Sequence, residues 1–377
     1  MFRVQLQRVI FITGIFLTLI FQVAKGQSKS QKFVEVSYDQ GPIIGNHKDW
    51  ADELIDMINY SGVDVRFAWR SKDNNYFNYL DRYPIYGVGF TSTLNYYPEI
   101  GRPMAFYAFG EVPFNKYSTH RKWDLSYFGQ FGIGFNVNPY DPETNPLNQF
   151  LGSSVNSHIH LGFKANYKLS QRFTAFSSIG LRHYSNGSIK KPNSGVNFAP
   201  VSLGLRISLD KEEFDPGVKP VFPPLEKGWV WNIAMYNGLK SYEIGEKVYY
   251  RGGIGVNYLW DFSYKYKMGI GLDWFYGAGT KKRYPEEKLD FFDKNSFAIV
   301  GSWEWNLSEH LYIPIGIGVY LSRADYNQEV SKIYERVGVR YRFNSNVFAG
   351  VQIKAHKAKA DFFEFTVGYT ISHHQSR

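Results

Sequence analysis

The feature that most constrains this chain is an alternation of apolar and polar residues along extended segments. In residues 155–166 the odd positions are apolar except Ser157, and the even positions are polar or glycine. Because successive side chains of a strand point to opposite faces, this pattern predicts a β-strand with one apolar and one polar face.

The same alternation recurs along the chain and predicts about eight strands on each side of a Pro-rich stretch, Asp215–Pro224. The predicted strands begin near Phe33, Val63, Pro84, Pro103, Trp123, Val155, Phe173 and Ala199, and then near Trp229, Val248, Lys267, Phe297, Leu311, Ile333, Val347 and Asp361. Several of these segments are longer than ordinary globular strands and match the span of a bilayer. A pair of soluble β-sandwiches would have shorter strands.

Composition favours a membrane barrel. Aromatic residues make up 18% of the chain, as barrels with aromatic girdles require, and Trp229, Trp231, Trp303 and Trp305 are predicted girdle residues. The mean hydropathy of −0.34 argues against a helical membrane protein, whereas only alternate residues of a barrel face lipid. We therefore expect an all-β fold, an antiparallel transmembrane outer-membrane β-barrel.

The pattern leaves open how the strands close. We favour one barrel of about 14–16 strands, and the alternative is an 8-stranded barrel plus a second β unit. The expected organisation is a signal peptide at 1–26, a first barrel half with the candidate site at 27–210, a Pro-rich connection at 211–227 and a second half at 228–377. Residues 50–58 have the apolar spacing of a short helix between the first two strands.

The N-terminus has the features of a secretory signal peptide. Arg3 and Arg8 form a basic region, residues 9–24 are apolar, and Ala24 and Gly26 offer small residues for cleavage before Gln27. The expected location is the cell outer membrane after removal of this segment.

Charge and cysteine content restrict the partners. The net charge of +9 suits attraction to the phosphates of lipopolysaccharide, and no nucleic-acid-binding motif is present. With no cysteine, the chain cannot form disulfides, thiolate metal sites or an N-terminal lipid anchor on cysteine.

The segment most informative about chemistry is Arg182-His183-Tyr184-Ser185-Asn186-Gly187, followed by Lys191-Pro192-Asn193-Ser194-Gly195-Val196-Asn197. Together with its flanking strands, from Phe33 to Leu209, it resembles the PagL family of lipid A 3-O-deacylases, or acyloxyacyl hydrolases. The whole chain also resembles longer relatives of that family found in Bacteroidetes. The resemblance implies an outer-membrane ester hydrolase that removes an acyl chain from lipid A without a cofactor, with His183 as general base and Ser185 as nucleophile.

The residues themselves are compatible with these roles. Positions 183 and 185 share a strand face with the apolar residues Ile179 and Leu181, so His183 and Ser185 are predicted at the end of a lipid-facing stripe. With an even strand count and a periplasmic N-terminus, this end faces the cell exterior and the outer leaflet.

The sequence departs from the family at Asn197, where the family has Glu. An amide oxygen can fix the tautomer of His183, but it cannot compensate an imidazolium charge. Backbone N–H groups of Asn186, Gly187, Asn193 and Gly195 are candidates for stabilising the oxyanion. The same residues are also ordinary turn formers.

Two other functions remain open. The missing carboxylate and the second half of the chain suit a non-catalytic barrel, a pore or a structural protein descended from the enzyme. An outer-membrane phospholipase is the other alternative, because such enzymes combine Ser and His with Asn. His158 and His160 share a polar face but lack an evident third ligand, so no metal site is predicted. The acyl position and the oligomeric state are not predicted.

Overall fold

The computed structural model describes residues 30–45, 48–211, 214–225, 227–343 and 346–373, with only the backbone of residue 373. The predicted signal peptide, 1–26, lies outside the described residues. In the described part, nearly all of the regular secondary structure is β-strand.

The first half of the chain forms a closed antiparallel barrel. Its strands are β1 (Ser30–Gly41), β2 (Ile43–Ile44), β3 (Tyr60–Ser71), β4 (Ile85–Thr93), β5 (Gly101–Pro113), β6 (Trp123–Val137), β7 (Asn156–Lys168), β8 (Phe173–Ser185), β9 (Val196–Phe198) and β10 (Val201–Ser208). Strand β10 pairs with β8 on one side and with β1 on the other, which closes the barrel. The short strands β2 and β9 pair with each other near the end of β8.

The second half forms another closed antiparallel barrel. Its strands are β11 (Trp229–Lys240), β12 (Tyr249–Asp261), β13 (Tyr266–Gly277), β14 (Asn295–Asn306), β15 (Leu311–Ser322), β16 (Ile333–Arg342), β17 (Val347–His356) and β18 (Lys359–His373). Each strand pairs with the next, and β18 pairs back to β11.

The expectation of a transmembrane-type antiparallel barrel is confirmed, but the preference for one large barrel was wrong. The chain forms two 8-stranded barrels, if the short strands β2 and β9 of the first barrel are not counted. This is close to the alternative of an 8-stranded barrel plus a second β unit. The physical reason is that β1 and β10 occupy each other's free edges, from Phe33↔Ser208 to Gln40↔Val201, so no edge is left for β11. Alternation predicts where the strands lie but not which strand closes the sheet.

Helices are few and short. They are α1 (Asp49–Met57), α2 (Tyr76–Leu80), α3 (Thr280–Arg283) and a 3-10 turn (Asp325–Asn327). Helix α1 matches the helix predicted between the first two long strands, and it buries Ala51 and Leu54. Among the described residues, no helix has the length and apolarity needed to cross a bilayer.

The lumen of the first barrel is filled by buried ionic side chains. Glu35 and Glu111 each contact both Lys164, at 2.9 Å, and Arg206, at 2.5 Å. An 8-stranded barrel has an interior just wide enough for side chains. These paired charges therefore occupy the space that a wider barrel would leave to water.

The lumen of the second barrel is filled in the same way. Arg336 contacts Asp273 at 2.7 Å and Glu364 at 2.8 Å. Lys354 lies 3.0 Å from Asp361 and 3.4 Å from Glu329. Both interiors contain compensated charges, and the exposed apolar side chains of the strands point outward.

The outer walls are apolar and carry aromatic residues at one end. Trp229 and Trp231 at the start of β11, and Trp303 and Trp305 at the end of β14, lie on the outer wall. This end has short connections such as 169–172, 262–265 and 307–310, whereas the other end has long loops such as 138–155 and 278–294. Outer-membrane barrels place short turns in the periplasm and long loops outside the cell.

Removing one lumenal charge is expected to destabilise the first barrel. Glu35→Gln leaves Lys164, Arg206 and the nearby Arg66 with one fewer carboxylate. Breaking a buried ion pair in this way typically costs about 3–5 kcal/mol. Urea unfolding in lipid vesicles, followed by tryptophan fluorescence, measures the loss, with the exposed Glu143→Gln as control. Equal unfolding midpoints for the two variants would contradict the assigned role.

Candidate active site

Strand β8 carries the predicted nucleophile and base at the end of its outer face. Ile179 and Leu181 on this face are 59% and 46% exposed, whereas Arg182 and Tyr184 on the other face are buried in the lumen. His183 and Ser185 follow the exposed residues in the same parity. The structure therefore has both on the outer wall, next to the loops of the long-loop end.

Asn197 lies directly opposite His183 because β9 takes the place of β10 beside the last residues of β8. The cross-strand pairs are Arg182↔Phe198, His183↔Asn197 and Tyr184↔Val196. Asn197 Oδ1 lies 2.7 Å from His183 Nδ1. An amide oxygen only accepts hydrogen bonds, so Nδ1 carries the proton and the lone pair of Nε2 is left for another group.

Gly195 packs against the ring of His183. Its φ of +72° lies in the left-handed region, and a Cβ at this position would lie 2.5 Å from His183 Cε1. Its N–H donates to the carbonyl of Phe150 at 3.0 Å. The absence of a side chain at Gly195 therefore leaves room for the imidazole of His183. Its expected role as a turn former did not predict this contact.

Ser185 is nearly covered, with 3% of its surface exposed. Its carbonyl accepts a hydrogen bond from Ser157 Oγ at 2.8 Å, across the β7–β8 pair. No hydrogen bond joins Ser185 Oγ to His183, both of which are described. The two residues are thus neighbours on one face rather than a formed pair, as catalytic groups without substrate often are.

Asn186 makes several hydrogen bonds within the loop that follows Ser185 and to the neighbouring β6–β7 loop. Its N–H donates to Asn193 Oδ1 at 3.0 Å, and its side-chain amide donates to Ser153 Oγ and to the Lys190 carbonyl, both at 2.9 Å. Ser153 belongs to the β6–β7 loop, and no motif in the sequence pointed to it.

These contacts reduce the number of residues that can donate a hydrogen bond to an oxyanion. The backbone N–H groups of Asn186 and Gly195 are already engaged. In the described part of the chain, the N–H of Gly187 and the side-chain amide nitrogen of Asn193 have no hydrogen-bond partner. Of the four predicted backbone donors, those of Gly187 and Asn193 have no partner among the described residues, and the Asn193 side-chain amide is a further free donor that was not predicted.

The other polar candidates lie away from this site. His158 is buried in the lumen, 3.0 Å from Gln130 Oε1, and His160 lies 3.5 Å from Arg182. Within the described ranges, no group of three or more His, Cys, Asp or Glu is arranged to hold a metal ion. No described carboxylate forms an ion pair or hydrogen bond with His183, so Asn197 is the partner of that ring.

Two family models match the chain. The model described as lipid A 3-O-deacylase (PagL) matches residues 59–206, and the model described as acyloxyacyl hydrolase, C-terminal domain, matches residues 229–374. The chain belongs to the PagL family. The two matches correspond to the two barrels. No curated protein matches the sequence.

Three solved structures are similar to parts of the chain. The outer membrane enzyme PagL is 14% identical, with a TM-score of 0.31, and the match covers 45% of this chain and 97% of that one. Neisserial surface protein A is 15% identical, with a TM-score of 0.29, covering 47% and 97%. The ferric enterobactin receptor PfeA from Pseudomonas aeruginosa is 10% identical, with a TM-score of 0.21, covering 87% and 54%.

A methyl group at Gly195 is expected to displace His183. Gly195→Ala adds a Cβ against the imidazole at a left-handed φ, and misplacing a reacting group by about 1 Å can cost on the order of a hundredfold in rate. Labelling of Ser185 by a fluorophosphonate probe should slow accordingly. Gly217→Ala is the matched control, since Gly217 also has a left-handed φ of +65° but its added Cβ would have nothing within 4 Å. Equal labelling rates would show that Gly195 does not position the ring.

Proposed function

We propose that this protein is an outer-membrane ester hydrolase that removes an ester-linked acyl chain from lipid A. The observation that carries the proposal is the 2.7 Å contact between His183 Nδ1 and Asn197 Oδ1 on the outer wall, with Ser185 on the same strand face. Family membership supports the reaction type.

In the proposed mechanism Ser185 Oγ attacks the acyl carbonyl while His183 Nε2 takes the hydroxyl proton. A serine hydroxyl needs such a base, and an imidazole can serve near neutral pH. His183 then returns the proton to the departing alcohol oxygen, so that partly deacylated lipid A leaves and an acyl-enzyme remains. Water activated by His183 hydrolyses this acyl-enzyme, which releases the fatty acid and restores the Ser185 hydroxyl. The mechanism uses no cofactor.

Asn197 would hold the imidazole in the tautomer that leaves Nε2 unprotonated. Unlike the family Glu, it brings no negative charge to stabilise the imidazolium. We therefore expect orientation without charge compensation, and a slower reaction than a carboxylate would support.

The negative charge that develops on the substrate oxygen needs donors. Gly187 N–H and the Asn193 side-chain amide are our candidates, because both lie in the loop that follows Ser185 and both lack another partner in the described residues. Preorganised donors of this kind contribute about 10²–10³-fold to the rate of acyl transfer.

The location of the residues suits a lipid substrate. His183 and Ser185 continue a lipid-facing stripe at the end of the barrel with long loops, which in outer-membrane barrels faces the cell exterior. Lipopolysaccharide occupies that leaflet, so the substrate would arrive by lateral diffusion along the wall.

A pore is not favoured. Both lumens are occupied by buried ion pairs, including Glu35–Lys164 and Arg336–Asp273. An 8-stranded barrel filled in this way has no room for a hydrated ion.

The first expected result concerns lipid A itself. Purified protein refolded in detergent and incubated with lipid A should yield a product lighter by one acyl chain, and Ser185→Ala should yield none. Mass spectrometry of the lipid measures both. Hydrolysis by Ser185→Ala at the wild-type rate would refute the assigned nucleophile.

Phospholipid vesicles assayed in parallel test the alternative that Asn197 suggests. Release of fatty acid from phospholipid alone would identify a phospholipase on the same Ser–His pair. An absence of both reactions, together with ion conductance in planar bilayers, would favour the non-catalytic barrel.

Changes at Asn197 should move the rate in opposite directions. Asn197→Leu removes the acceptor that fixes the His183 tautomer and should lower kcat by about a hundredfold, the scale on which misoriented groups lose activity. Asn197→Glu restores a charged acceptor and should raise kcat above wild type. Steady-state kinetics on lipid A measure both, with Asn115→Leu, at the opposite end of the barrel, as control. A wild-type kcat for Asn197→Leu would rule out the orienting role.

A further inference from the structure

The loop that follows Ser185 is held from outside its own barrel. Three of its residues, Gly187, Ser188 and Lys191, approach residues of the second barrel. The partners are Phe363 and Ala360 of β18, their neighbour Asp361, and Ser241 in the β11–β12 loop.

Gly187 is packed directly on β18. Its φ is +60°, and a Cβ at this position would lie 2.1 Å from Phe363 Cδ2. Only glycine allows the loop backbone to come this close to the aromatic ring. Phe363 therefore limits where the Gly187 N–H can point.

Ser188 makes two hydrogen bonds with the second barrel, one through its side chain and one through its backbone carbonyl. Its Oγ donates to the Ala360 carbonyl at 3.0 Å, and its own carbonyl accepts from Ser241 N–H at 2.9 Å. Its φ of +66° lies in the left-handed region, which residues other than glycine rarely adopt. Such a conformation persists only where surrounding contacts impose it, and here the contacts come from the second barrel.

Lys191 adds an electrostatic contact. Its ammonium lies 3.4 Å from Ser188 Oγ, and it is close enough to Asp361 and Lys359 for both charges to influence its pKa, which burial lowers. The loop, residues 186–195, thus meets the second barrel near its start and near its middle.

We propose that the second barrel completes the active site by holding the Gly187–Ser188 segment, through Phe363, Ala360 and Ser241, in the conformation that presents the Gly187 N–H to the substrate oxygen. These are positioning residues, since none of them carries the Ser185 or His183 chemistry. The catalytic consequence depends on the proposed hydrolysis, whereas the ordering of the loop does not.

The opposite end of the molecule supplies the comparison needed. There the barrels also touch, through the ion pair of Lys265 with Asp81 and the ring contact of Tyr264 with Tyr76 at 5.4 Å. If the second barrel served only to hold the two halves together, contacts at either end would matter equally to the site.

The order of the loop and the rate of hydrolysis can be measured separately in the whole chain. Because the chain has no cysteine, Ser194→Cys offers a single attachment point for a nitroxide label on the exposed part of the loop. In this background, Ser188→Ala and Phe363→Ala should each increase label mobility in the electron paramagnetic resonance spectrum. Without the label, each should lower kcat for lipid A by about tenfold or more, a part of what one oxyanion donor contributes, with KM within about twofold.

Lys265→Gln and Phe262→Ala are the controls. The first removes the ion pair between the barrels at the far end, and the second removes an exposed phenylalanine of the second barrel. Both should leave label mobility and kcat unchanged. A difference in electrophoretic mobility between heated and unheated samples verifies that every variant is folded.

The positioning role of the second barrel and the proposed hydrolysis can fail independently. Unchanged mobility in Ser188→Ala and Phe363→Ala overturns the positioning role, whether or not the protein hydrolyses lipid A. Increased mobility with an unchanged kcat also overturns it, since the held conformation would then not serve the reaction. If the wild type hydrolyses no lipid, the proposed function fails, and increased mobility in the two variants still supports the holding of the loop by the second barrel.

Discussion

Every part of this structure depends on the need to pair backbone N–H and C=O groups within the bilayer, where water cannot do so. The first barrel meets this need on one edge of β8 with two strands. Strand β10 pairs with residues 173–179, and the short strand β9 pairs with residues 182–184. This division brings Asn197 across from His183, so the closure of the barrel also builds the site.

The narrow, ion-filled lumens determine where chemistry can occur. Lys164 and Arg206 lie between Glu35 and Glu111, and equivalent networks fill the second barrel. Paired buried charges of this kind occupy the described lumens, whose width in an 8-stranded barrel suits side chains. The outer wall and the loops above it are the surfaces left to meet a substrate, and the wall is where His183 and Ser185 lie.

Much of this could be predicted from the sequence, because strand parity is a local property. Alternation gave nearly all the long strands and placed Arg182 and His183 on opposite faces. Closure into two barrels was not predictable, since it depends on the pairing of β1 with β10, which are distant in the chain. The contacts of Gly195 with His183 and of Gly187 with Phe363 were missed for the same reason. In both cases glycine is needed for a neighbour that local sequence does not reveal.

The contacts of Phe363 and Ala360 with the Gly187–Ser188 segment link the candidate site to the assembly of the second barrel. Both residues lie on β18, the strand that closes the second barrel against β11. On our proposal, a chain whose first barrel has inserted but whose last described strand is unpaired would have Ser185 and His183 in the membrane without a finished site. The full rate of hydrolysis would then be reached only at the end of assembly, and partly inserted intermediates would act on the surrounding lipids more slowly.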